Sequence, residues 1–96
     1  IIDASGFTGV RIVVYGNGEK YSIHLRTPDN LRPWQSYRAH LTAGSNWETI
    51  DLPFATFVPY RLENPLDTRR LRRIGLVAIG RAFHGDLAVS ELAFYL

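Results

Sequence analysis

"GSNWETIDLPFATFVPY", residues 44–60, opens as a strand and then stops being one. Between Trp47 and Leu52 polar and apolar positions alternate, which sends Ile50 and Leu52 to one side. Pro53 has no N–H to give to a ladder and ends the run. Yet an apolar segment, Phe54-Ala55-Thr56-Phe57-Val58, follows before Pro59. Two phenylalanines between prolines cannot be held by regular strand pairing, so burial has to hold them. Burying one Phe contributes roughly 1.5–3 kcal/mol, enough to pin a loop. The stretch is therefore read as a plug over the open end of a β-sandwich, with Trp47, Phe54 and Phe57 as structural rather than ligand-stacking residues.

Working outward, "GVRIVVYGNGEKYSIHLRT" (9–27) carries the same period of two. Val10, Ile12 and Val14 alternate with Arg11, Val13 and Tyr15; beyond Gly16-Asn17-Gly18-Glu19, Tyr21, Ile23 and Leu25 alternate with Ser22, His24 and Arg26. Asn and Gly accept the positive φ that tight turns require, so this segment is expected to be a β-hairpin. "WQSYRAHL" (34–41) alternates again, with Tyr37, Ala39 and Leu41 inward. "RIGLVAIG" (73–80) is apolar on both faces, the pattern of a central strand covered on both sides. "DLAVSELAFYL" (86–96) changes face near Ser90-Glu91, where a bulge or kink is expected. No segment keeps a helical period. Short strands with frequent turn signals predict an antiparallel all-β sandwich or barrel.

Composition sets outer bounds. Ninety-six residues suit a single β-sandwich domain, 1–96, able to bury somewhat over ~60% of its unfolded surface. The chain starts at Ile1 without a signal-peptide pattern and has no apolar run of ~18 residues, so a soluble piece of a longer domain is expected. There is no cysteine, which excludes disulfides, thiolate catalysis and cysteine-ligated metal. The net charge is +2 and does not point to nucleic acid. Ten of the eleven cationic residues are arginine, the side chain whose planar fork matches carboxylate and phosphate.

Together, "DASGFTGVRIVVYGNGEKYSIHLRT", "WQSYRAHLTAGSNWETIDLPFATFVP", "LRRIGLVAI" and "GDLAVSELAFY" resemble the complex I intermediate-associated protein 30 family. The stretch from Trp47 to Pro59 is the most specific part. The resemblance implies a galactose-binding-like jelly roll, close in architecture to carbohydrate-binding modules. It also implies a non-catalytic, chaperone-like role in assembling respiratory complex I. The location it implies is intracellular, either bacterial cytoplasm or mitochondrial matrix. The family domain normally has a further strand or two before Asp3. Their absence would leave one sheet edge unpaired and inclined to pair with another chain as a homodimer. Where sugar-binding relatives tend to show paired acids, this chain has Ser90-Glu91.

The residues themselves give little support for chemistry. His24, His40 and His84 lack metal-ligand spacing, although pairing of their strands could bring His24 and His40 together. No nucleophile elbow, phosphate loop or cofactor motif is present, so neither an enzyme nor a cofactor is expected. More telling is the outward face of the first three strands, with Arg11, Val13, Tyr15, Ser22, His24, Arg26, Trp34, Ser36, Arg38 and His40. It has guanidinium, imidazole and aromatic groups and no acid. The candidate binding residues are Tyr15, His24, Arg26, Trp34, Arg38 and His40, of a kind suited to a protein partner or to stacking a sugar. Alternatively, the face is plainly solvated or covered by further chain. "DTRRLRRIG" (67–75) offers a basic patch of Arg69, Arg70, Arg72 and Arg73. Its arginines either stand in water, partly paired with Asp67 and Glu63, or meet an acidic protein, a phosphate-rich surface or anionic lipid.

A non-catalytic protein-interaction module is the first reading, a carbohydrate-binding module the second, and an accessory domain of an enzyme the third.

Overall fold

The computed structural model describes residues 1–16, 18–78 and 88–96. Seven strands occur among them: β1 (Gly9–Tyr15), β2 (Lys20–Arg26), β3 (Ser36–Thr42), β4 (Glu48–Pro53), β5 (Val58–Tyr60), β6 (Arg73–Ala78) and β7 (Ala88–Tyr95). Two single 3-10 turns, Phe54–Thr56 and Thr68–Arg70, are the only helical pieces described. The strands form two antiparallel sheets, ordered β4-β1-β7 and β5-β3-β2-β6, stacked as an all-β sandwich.

Period-two alternation produces this layering directly. Val10, Ile12 and Val14 of β1 are buried, as are Tyr21, Ile23 and Leu25 of β2 and Tyr37, Ala39 and Leu41 of β3. Each strand turns one face to a shared interior, where apolar area leaves water at about 25 cal/mol per Å². Leu52 of β4 and Phe57 complete this core, with Ile50, Phe54, Ile74 and Phe94 packed against it. Tyr37 is fully buried, and its hydroxyl donates to the Asn64 carbonyl at 2.9 Å, so the phenol oxygen is satisfied.

The expected hairpin over 9–27 does not form. β1 and β2 lie in different sheets, and the turn between them carries the chain from one layer to the other. The turn bonds instead to the end of the β3 segment. The Gly16 N–H donates to the Gly44 carbonyl, the Gly18 N–H to the Ala43 carbonyl, and the Ala43 N–H to the Glu19 carbonyl. Gly18 has φ +83, the left-handed backbone that glycine accepts without strain. Alternation tells which side chains face the core, but a hairpin and two facing strands satisfy it equally.

A second correction concerns β6. Among the described strands it stands at the end of its sheet rather than at the centre, with Leu76 and Val77 38% and 40% exposed. Residues 79–80 of that stretch lie outside the described residues. β7 does change face where expected. Val13 pairs with Glu91 and Val14 with Val89, leaving Ser90 as the extra residue of a bulge.

At the end of β4, the Phe54 N–H donates to the Thr8 carbonyl and the chain enters the 3-10 turn. Phe57 is buried there, and ring centroids of Phe54 lie 6.4 Å from Phe57 and 6.2 Å from Phe94. Phe7 extends the cluster, 5.6 Å from Phe94. Trp47 does not join it. It precedes β4, 54% exposed, with its ring 5.7 Å from Tyr15.

Candidate functional site

The ten outward residues read as one face are divided between two surfaces. Arg11, Val13 and Tyr15 belong to β1 and therefore to the three-stranded sheet. Arg11 is engaged there by Asp51, through Nε at 2.7 Å and Nη2 at 2.9 Å, and its guanidinium lies 5.1 Å from the Tyr95 ring centre. Tyr15 packs on Trp47. Neither can contribute to a site with His24 or Arg38, which stand on the other sheet. This removes Tyr15 from the candidate group.

The remaining members gather on the four-stranded sheet, except that Trp34 precedes β3 and that Ser22 and Ser36, expected on an open face, are buried. Register sets His24 beside Arg38 on β3 and Gly75 on β6, and Arg38 beside Val58 on β5. One row away, Ser22 is opposite His40, and Arg26 is opposite Arg73. A Cβ at Gly75 would meet nothing within 4 Å, although His24 Nε2 and Ser22 are buried. No carboxylate occurs among the described strand residues of this face.

Arg38 is the best-positioned side chain. Its guanidinium lies 3.7 Å from the centre of the Tyr60 ring, while Nε donates to Ser36 Oγ at 2.8 Å and Nη2 to the Trp34 carbonyl at 3.3 Å. The ring quadrupole attracts the cation, and the donors fix its plane. Trp34 is 57% exposed and Val58 64% exposed, so apolar surface flanks the fixed charge. Arg26 is tied differently: Nη1 donates to the Pro33 carbonyl at 3.0 Å and Nη2 to the Arg32 carbonyl at 3.1 Å. It anchors the loop that carries Trp34.

His24 and His40 lie on neighbouring strands, one register row apart. His24 Nε2 is buried and has no hydrogen-bond partner among the described residues. Burial pushes the His24 imidazole below its ordinary value, and the charges of Arg38 and His40 push the same way. His24 is accordingly neutral at pH 7. Among the described residues no group of three or more His, Asp or Glu could hold a metal. His84 lies outside the described residues.

The arginine run also divides. Asp67 caps the 3-10 turn by accepting from the Arg69 N–H, and it binds Arg69 Nε at 3.0 Å and Arg70 Nε at 2.9 Å. Arg70 also reaches Asp29 at 3.1 Å, so Asp29 stands where Glu63 was expected. Arg72 and Arg73 instead line a pocket with Arg26 and Arg32.

Tyr60 and Val58 were missed on the sequence, because "VPY" follows a proline-bounded plug. Their signal was the alternation of Val58 and Tyr60 around Pro59, which aims both outward on an edge strand.

A sequence model of one family, complex I intermediate-associated protein 30, matches residues 1–90. The chain belongs to the complex I intermediate-associated protein 30 family. That is an assembly-factor-like family for complex I. No curated protein and no solved structure matched the chain. Among the described residues no helix is long and apolar enough to cross a membrane.

Proposed function

We propose that this domain is a non-catalytic interaction module that docks a partner protein during assembly of a larger complex, as membership of the complex I intermediate-associated protein 30 family suggests. The observation that carries the reading is the Arg38–Tyr60 stack at 3.7 Å, flanked by the exposed Trp34 and Val58. Arg, Trp and Tyr dominate binding hot spots because each combines apolar area with directed hydrogen bonds. A guanidinium already fixed by Ser36 and by the Trp34 carbonyl loses little further freedom on binding. The face would take an acidic, partly apolar partner surface. The location that goes with this role is the bacterial cytoplasm or the mitochondrial matrix.

A photo-crosslinking amino acid at position 34, introduced in cells, tests the proposal. The expected result is a crosslink to one discrete protein, identified by mass spectrometry and lost when Arg38→Ala is added. Crosslinks absent, or unaffected by Arg38→Ala, overturn it.

The exposed Trp34 ring supports a second reading, as a platform for a sugar ring, with Arg38 tied to the Trp34 carbonyl. Saturable binding on a glycan panel that Trp34→Ala abolishes would establish that reading instead.

A further inference from the structure

Arg72 and Arg73 do not share the fate of Arg69 and Arg70. They line a pocket of about 510 Å³ with Arg26, Thr27, Asn30, Leu31, Arg32 and Pro33. Four of the eight lining residues are arginines and none is acidic. The acids on adjoining segments, Asp29 and Asp67, are already held by Arg70 and Arg69. Thus a chain of net charge +2 gathers four arginines around one concavity without a carboxylate in its lining.

One further observation points to a ligand. Arg26 and Arg73 are register partners on β2 and β6, and like charges directly opposite each other destabilise a sheet. An anion held by Arg73 would offset that repulsion.

We infer that this pocket binds a phosphate-bearing organic anion. A phosphate group carries close to two charges and three strong acceptor oxygens, enough for the forks of Arg72 and Arg73. Arg26 is committed to the carbonyls of the 32–33 segment and holds Arg32 at the rim. Leu31 and Pro33 give the wall an apolar part, suited to the organic moiety of an ester rather than to a bare ion. The volume falls in the range of ~300–1,000 Å³ usual for small-ligand sites. The ester could be a soluble metabolite or the headgroup of a lipid. The inference is separate from the Arg38 face, because Arg72 and Arg73 take no part in that docking surface.

Calorimetric titration of the protein with pyrophosphate, a hexose monophosphate and citrate, at fixed ionic strength, is the test. It is paired with sedimentation against phosphatidylcholine vesicles containing phosphatidic acid. Saturable binding of a soluble phosphate is expected, weakened roughly ten- to a hundredfold by Arg72→Ala or Arg73→Ala. Arg69→Ala, outside the pocket, should leave it unchanged. Binding confined to the vesicles and lost in the same two variants assigns the site to a lipid headgroup. No binding in either arm, citrate bound as well as the phosphates, or binding that survives both substitutions overturns the inference.

Discussion

Gly16 lies so close to Ala43 that a Cβ on Gly16 would stand 2.5 Å from the Cβ of Ala43. Two backbones meet here at the crossing between layers, and the contact explains why the turn after β1 bonds to residues 43 and 44. Overpacking a fixed contact costs about 1–3 kcal/mol. Gly16→Ala should destabilise by that amount in urea denaturation, and Ala43→Gly in the same chain should restore part of it. A hairpin turn facing solvent would show neither effect.

The phenylalanine plug makes unequal demands on its sequence neighbours. Phe57 is 6% exposed, so Phe57→Ala should cost about 3–5 kcal/mol, the range for emptying a buried aromatic site. Trp47→Ala should fall nearer the usual surface range of about ±0.5 kcal/mol, with a small added loss from the Tyr15 contact. Equal costs for the two would contradict the separation of Trp47 from the plug.

His24 should make stability fall on mild acidification. Its folded-state value is depressed below 6.5, chiefly by burial, so between the two values the unfolded chain binds the extra proton. The stabilisation is complete above the unfolded value and is lost as pH falls from there through the folded value. Urea midpoints measured from pH 7.5 to 5 should therefore decline less steeply in His24→Gln than in the parent. The other histidines are common to both proteins, so the difference in slope belongs to His24.

Asp67 acts at lower pH. The bonds from Arg69 and Arg70 hold its carboxyl well below the usual carboxylate range. Its stabilisation is present above the ordinary value near 3.8 and lost as pH falls below it. Asp67→Asn should lower the thermal midpoint at pH 7 and narrow the gap to the parent at acid pH. A gap that stayed constant down to the acid limit would exclude that role.

How far the sequence could be read depended on what kind of question was asked. Inward residues such as Ile12, Ile23 and Tyr37 were legible, because one buried face per strand forces a period of two. The bulge at Ser90 was legible for the same reason, since an extra residue resets that period. The partner of each strand was not. Gly16-Asn17-Gly18 is good hairpin chemistry, and only the approach of Ala43 in space turns the chain toward the other layer. The face of β6 was misjudged because Val77 is apolar yet lies on the outward side opposite Ser22. At the site, Arg38 and Trp34 were visible as unusual residues on an exposed face. The arginine pocket was not, because Arg26 meets Arg73 only through strand register across distant parts of the chain.

The three-stranded sheet takes its members from the start, the middle and the end of the chain. Neither partner of β1 is its sequence neighbour: β4 follows only after both β2 and β3, and β7 comes after β6. Loop closure must precede nearly every pairing in that layer, the condition under which small proteins fold in milliseconds to seconds rather than microseconds. Both hydrogen-bonding edges of β1 are thus closed by strands that follow it at a distance, so the sequence stretch that separates them has to be folded back before that layer exists.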